Sequence, residues 1–199
     1  MAQAGALLTE DFNDVSTLAG KGWVQNNQSS PIGTTGWFQG NSGVFAAASG
    51  PSNSYIAANY LNAAPGGTIS NWLLTPTLSI FNGDTLNFSL RLLAEGFLDT
   101  VEVYVSTSGA STALSNFSLV QTFASGVDTG WTNESVVITA AGTGRYAFRY
   151  FVDNTNINGD YIGIDSVLVN SVPEPTPLAL FGVAALGLAL SRRKIAPKD

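Results

Sequence analysis

The chain has 199 residues, enough for one domain with extensions, and it carries neither cysteine nor histidine. That excludes thiolate nucleophiles, imidazole general bases, Ser-His-Asp triads, ordinary zinc sites and disulfide staples. Residues 1–172 hold twelve acids against four bases, a net of −8 within a whole-chain charge of −6, so the basic stripe that nucleic acid requires is missing.

Only 11% of the residues are charged. Solubility therefore rests on Ser, Thr, Asn and Gly, residues that suit strands and turns better than helices. In chain order, Ala2-Gln3-Ala4 fits the small-x-small end of a secretory signal peptide, and residues 1–4 read as its remnant. From residue 5 to 171 the apolar pattern has period two. The clearest strands are Leu86-Phe88-Leu90-Leu92, Val101-Val103-Val105 and Tyr146-Phe148-Tyr150-Val152, each alternating with polar neighbours. The last is apolar on parts of both faces, which places it centrally. Weaker strands are expected at Ala6–Phe12, Trp37–Gln39, Tyr55–Asn59, Thr68–Leu74, Leu119–Phe123, Val136–Thr139 and Tyr161–Val169. Turns separate them at Gly66-Gly67, Asn82-Gly83-Asp84, Ser108-Gly109, Asp128-Thr129-Gly130 and Asn158-Gly159-Asp160. No long helical pattern appears before the tail. Many short strands with Gly and Asn turns predict an all-β fold, an antiparallel two-sheet sandwich of jelly-roll type.

Several stretches carry a resemblance through their order: Glu10-Asp11-Phe12-Asn13-Asp14, Gly22-Trp23, Trp72-Leu73-Leu74-Thr75-Pro76, Asp99 to Ser106, Tyr146 to Tyr150, and Ile164-Asp165-Ser166-Val167. Together they resemble the choice-of-anchor J domains of bacteria, relatives of the cleaved-adhesin and MAM-like jelly rolls. The resemblance implies a structural calcium ion near the first and last strands, with Glu10, Asp11 and Asp165 as ligands. Calcium takes six to eight oxygens, which carboxylates and carbonyls supply. Many relatives show a second acid where this chain has Ser166. The alternatives are solvated strand-end acids, or a pairing of Asp165 with Arg149. The oxygen-rich run Asp153 to Asp160 is a second cation candidate or a polar hairpin turn.

Two further readings concern carbohydrate. Glu95, Asp99 and Glu102 could serve a polysaccharide hydrolase if they converged, since paired carboxylates cleave glycosidic bonds; read singly, they are a solvated face. Among the four tryptophans, Trp72 reads as packing. Trp37 and Trp131, flanked by Gly, Asn or Thr, are the candidates for glycan contact.

The tail, 172–199, is different in kind. Pro173-Glu174-Pro175 precedes thirteen uncharged residues, Leu178 to Leu190, and then Arg192-Arg193-Lys194. As a helix the apolar run spans about 20 Å, against about 30 Å of hydrocarbon. It has no polar face, so as a surface helix it would expose a large apolar patch. Residues 177–191 are therefore expected to enter a membrane, with the 192–194 cations stopping on the cytoplasmic side. The alternative is a helix packed on the body. Proline-flanked glutamate, short apolar span and basic cluster, in this order, resemble the PEP-CTERM sorting signal of Gram-negative bacteria. The resemblance implies processing by an exosortase near Pro173-Glu174-Pro175 and transfer of the body to the cell surface or exopolysaccharide matrix. A structural, adhesive or glycan-associated role without catalysis is expected. A secreted polysaccharide hydrolase or a permanently anchored periplasmic protein are the alternatives.

Overall fold

The computed structural model describes residues 5–171. The 1–4 remnant and the whole sorting tail, including Pro173, Glu174, Pro175, the expected helix 177–191 and Arg192, Arg193 and Lys194, lie outside the described residues.

The described chain is an antiparallel β-sandwich. Its strands are β1 (Gly5–Glu10), β2 (Val24–Asn27), β3 (Ser30–Ile32), β4 (Phe38–Gln39), β5 (Ile56–Asn59), β6 (Ala63–Leu74), β7 (Leu78–Ile80), β8 (Thr85–Leu92), β9 (Asp99–Ser106), β10 (Ser118–Ser125), β11 (Thr132–Val137), β12 (Gly142–Val152) and β13 (Tyr161–Ser171). One sheet runs β11-β8-β13-β5-β4, with β1 also paired to β13. The other runs β10-β9-β12-β6-β2, with β3 on β6 and β7 on β12. The described helical segments are short 3-10 turns, such as Val15–Thr17 and Ala19–Lys21.

The period-two pattern explains the core. Leu86, Phe88, Leu90 and Leu92 are buried on β8, and Val101, Val103 and Val105 on β9. Phe88 meets Phe148 of the facing sheet with ring centroids 4.9 Å apart. Burying such side chains removes apolar area from water at about 25 cal/mol per Å². The strand read as central, β12, does sit between β9 and β6. Three strands escape the pattern: β2, β3 and β7 are short and lie at sheet margins. The Asp153 to Asp160 run is not a hairpin. It joins β12 to β13, which belong to different sheets.

The topology gives the sandwich two unlike poles. Along β13 the chain travels from Tyr161 to Ser171, and Ser171 is paired with Gly5. Both ends of the described chain therefore share one pole, the base. The loops 60–62, 93–98, 126–131 and 153–160 gather at the other, about 35 Å away at the usual rise per strand residue.

Candidate functional site

The acids of the first and last strands do not act alike. Glu10, at the end of β1, is 6% exposed. Lys21 Nζ donates to its two carboxylate oxygens at 3.1 and 2.9 Å, and the Phe12 amide donates to Oε1 at 3.1 Å. Asp165, on β13, is fully buried. Its Oδ2 accepts from the Ser49 amide at 3.1 Å, and its Oδ1 accepts from the Ser166 amide at 2.6 Å. Burial pushes its carboxyl above the ordinary value, against the pull of these amides. Ser166 takes a left-handed backbone (φ 53), and the β13–β8 register shifts between Asp165 and Leu168. Asp165 thus fastens the 40–55 loop to a bulge in the central strand. Asp11 points to solvent.

These three residues do not fit calcium as arranged. The ion needs six to eight oxygens, yet here one carboxylate holds an ammonium, one holds backbone amides, and the third is outside. Among the described residues no group of three acids could hold a metal. Nor does Asp165 pair with Arg149. The two lie on different sheets, and Arg149 Nη1 donates to Glu102 Oε2 at 3.0 Å.

The hydrolase triplet is likewise dispersed. Glu102 accepts from Arg149 and from the Tyr104 hydroxyl on the outer face of its sheet. Asp99 is fully buried and accepts from the Tyr150 hydroxyl at 2.6 Å. Glu95 is exposed on a loop. Asp99 and Asp160 are close enough to matter to one another: the Asp160 amide donates to Asp99 Oδ1 at 2.9 Å. Burial, then the charges of Asp99 and Glu95, raise the Asp160 carboxyl to about 6. Asp99 is raised by its own burial.

The tryptophans also need correction. Trp37 is 5% exposed and belongs to the main core, so it offers no open ring face for stacking. Its Gly-rich neighbours suggested a free side chain, but the ring turns inward beside β4. Trp131 is half-buried. Its Nε1 donates to the Ala46 carbonyl at 2.8 Å, and its ring packs at steep angles on Phe45 and Tyr55. It is a clasp on the 40–55 loop. Trp72 packs, as expected, against Tyr104 and Phe117.

Trp37 nonetheless borders an open concavity. An open cleft of about 840 Å³ lies where β4 and β2 end their respective sheets, walled by the 3-10 turns. Its lining includes Asp14, Ser16, Trp23, Gln25, Trp37 and Gln39. Gln39 is committed: its Oε1 accepts from Val15 N, and its Nε2 donates to Phe12 O and Asn53 O. Asp14 caps the first 3-10 turn through Ser16. The indole N–H groups of Trp23 and Trp37 are buried and have no hydrogen-bond partner. A buried donor without an acceptor costs about 1–3 kcal/mol, and such groups are rare. Both indole N–H groups belong to residues that line the same cleft. In the sequence Trp23 stands out only within the Gly22-Trp23 pair. Its role beside Trp37 depends on packing between segments that pattern cannot reveal.

The comparisons bear on the tail and on the fold. Residues 171–194 match the PEP-CTERM protein-sorting motif. The sandwich is similar to the K1 cleaved adhesin domain of Lys-gingipain from Porphyromonas gingivalis, at 23% identity and TM-score 0.63, covering 86% of this chain and 100% of that one. The K3 cleaved adhesin domain of the same protein aligns at 21% identity and TM-score 0.61, over 85% and 100%. The xylan-binding CBM22-1 domain of Paenibacillus barcinonensis Xyn10C aligns at 12% identity and TM-score 0.50, over 87% and 99%. No curated protein matches the sequence. The chain thus carries a PEP-CTERM sorting motif behind a cleaved-adhesin-like β-sandwich.

Proposed function

We propose that this chain is an exported protein that an exosortase sorts through residues 171–194, leaving the sandwich at the cell surface or in the extracellular matrix as a non-catalytic, glycan-associated module. The observation that carries the reading is the sorting motif placed directly after the last strand. In this reading the short apolar run is the part of the signal that engages the membrane, and Pro173-Glu174-Pro175 is the part that the exosortase recognises. The adhesin and xylan-binding neighbours share the fold, and the xylan-binding one supports a glycan-associated reading. Asp99 is buried and Glu102 is paired with Arg149, so these two acids do not flank one open site, which supports a non-catalytic role, because glycoside hydrolysis needs two acids flanking one bond.

The cleft is the place we assign to the glycan. Its volume lies in the range of small-ligand sites, and a mostly apolar wall with few polar groups suits a sugar ring. The buried, unpartnered N–H groups of Trp23 and Trp37 belong to residues that line this cleft, which is why a sugar hydroxyl is assigned there. The processed protein should be retarded on electrophoresis through gels containing the producing cell's extracellular polysaccharide. Trp37→Phe, which keeps a ring and removes the N–H, should weaken retention about tenfold, the equivalent of one hydrogen bond. Gln25→Ala, at the exposed rim, should weaken it less. Unchanged retention in both variants would remove the cleft from the account.

A further inference from the structure

The pole opposite the chain ends carries a cluster of exposed apolar side chains. Phe97 and Leu98 are 47% and 45% exposed, Ile157 62%, Val127 69%, Tyr60 47% and Leu61 39%. They come from four separate loops, yet hydrogen bonds of the backbone and of the Asn158 side chain stitch those loops together. The Leu98 amide donates to Asn158 Oδ1 at 3.1 Å and the Gly159 amide to the Leu98 carbonyl at 3.1 Å. Gly96 N donates to Gly126 O, and Tyr60 N to Asp160 O. The loops that carry these side chains are therefore tied to one another at this pole. Singly scattered apolar residues are ordinary on a surface, whereas several on adjoining loops point to an interaction site.

The loop bearing Phe97 and Leu98 is held out at some cost. Ala94, Glu95 and Gly96 take consecutive positive φ values of 60°, 35° and 98°. For a residue with a Cβ this region is unfavourable, and it persists where neighbouring structure enforces it. Ala94 is fully buried and serves as that anchor. The two large apolar residues that follow are consequently presented to solvent.

Charge narrows the occupant. Glu95 and Asp153 are exposed on this pole, with Asp160 half-buried between them. All four cations among the described residues are engaged: Lys21 on Glu10, Arg91 on Asp128, Arg149 on Glu102, and Arg145 on the carbonyls of Gly22 and Thr75. An apolar centre with an acidic rim and no free cation repels anionic lipid and anionic polysaccharide. It also repels a second copy of itself, pole to pole. Ser171, the last described residue, lies at the base, the opposite pole from these side chains.

We infer that this distal pole is a docking surface for a partner protein that presents an apolar patch ringed by lysine or arginine. The surface is separate from the glycan cleft and stands whether or not that cleft binds sugar.

The test uses the processed protein and a synthetic amphipathic helix of leucine and lysine as the probe, followed by tryptophan fluorescence or calorimetry. Binding should occur, weaken as salt is raised, and fall about tenfold or more in the double variant Phe97→Ser, Ile157→Ser, as expected for loss of buried anchors. Both positions are exposed, so the double variant should melt within a degree or two of the parent. A leucine–glutamate helix should not bind. Equal binding by the double variant, or by the acidic helix, would overturn the inference. So would retention on neutral phosphatidylcholine vesicles through the same two residues, or their requirement for self-association in sedimentation. Loss of polysaccharide retention with peptide binding intact would count against the cleft alone.

Discussion

Two aromatic and apolar gatherings on this sandwich look alike in composition and differ in every physical respect. Over the outer face of the first sheet, Phe45, Tyr55 and Tyr161 form a buried cluster, with Trp131 and Phe38 packed on it. The Tyr55 and Tyr161 hydroxyls share Asn41: its amide donates to both, at 3.0 and 3.1 Å, and they lie 3.2 Å apart. Burial raises the Tyr55 hydroxyl well above its ordinary range. At the distal pole the large apolar side chains are exposed, above loops that hydrogen bonds tie together. The first gathering is finished; its polar groups and ring edges have partners. The second is structurally held and chemically open. Enrichment in aromatic residues therefore says little about binding until exposure and hydrogen bonding are known.

The largest effect expected on that contrast comes from Gly163. A Cβ there would lie 2.8 Å from the Trp131 ring, 2.9 Å from Phe45 and 3.0 Å from Tyr55. The aromatic cluster closes because this position on β13 has no side chain. Gly163→Val should destabilise the protein by about 1–3 kcal/mol through overpacking, measured by urea unfolding, and should expose Trp131 to quencher. A neutral outcome would mean that the 40–55 loop is not seated as described.

The next effect is on pH. Asp99, Asp160 and Asp165 all have carboxyls raised by burial, Asp160 to about 6. A folded-state value above the unfolded one means that the native protein binds more protons between the two. Stability is then greatest below the unfolded value near 3.8 and falls as pH rises through about 6. Asp128, held low by Arg91, acts in the opposite sense from an exposed position. The melting temperature should rise by a few degrees on acidification from pH 7 to pH 4.5, and Asp160→Asn should flatten part of that slope. A fall in melting temperature over this interval would contradict the burial assigned to these acids.

The smallest effect is a predicted absence. Lys21 and backbone amides already satisfy Glu10 and Asp165. Adding calcium or a chelator should leave the melting temperature unchanged. A clear rise with calcium would show that the acids and the 46–50 loop regroup around an ion, and that the contrast between finished and open surfaces needs a third category.

Much of this architecture is legible in the residues themselves. Alternation marks β8, β9 and β12 because each buries one face against the opposing sheet, where Leu, Val and Phe must recur every second residue. β2, with Val-Gln-Asn-Asn, gives no such signal, since an edge strand buries little on either face. Site reading fared unevenly for the same reason. Asp165 stands out as an acid in an apolar strand, but its partner Ser49 lies far off in sequence and contributes only an amide. Trp37 is visible, its burial is not. The distal pole is invisible to pattern because each loop contributes only one or two apolar residues. Only the fold brings Tyr60, Phe97, Val127 and Ile157 together.

The role assigned to the sandwich depends on its arrival at the surface by way of the tail. Intact-mass measurement of the protein recovered from the cell exterior, with and without the exosortase, tests that dependence most directly. The account predicts a chain ending at or near Pro173-Glu174-Pro175 in exosortase-bearing cells, and retention of the uncut form through Asp199 when the enzyme is deleted. An extracellular protein still ending at Asp199, or the same trimmed end in cells without the enzyme, would contradict it.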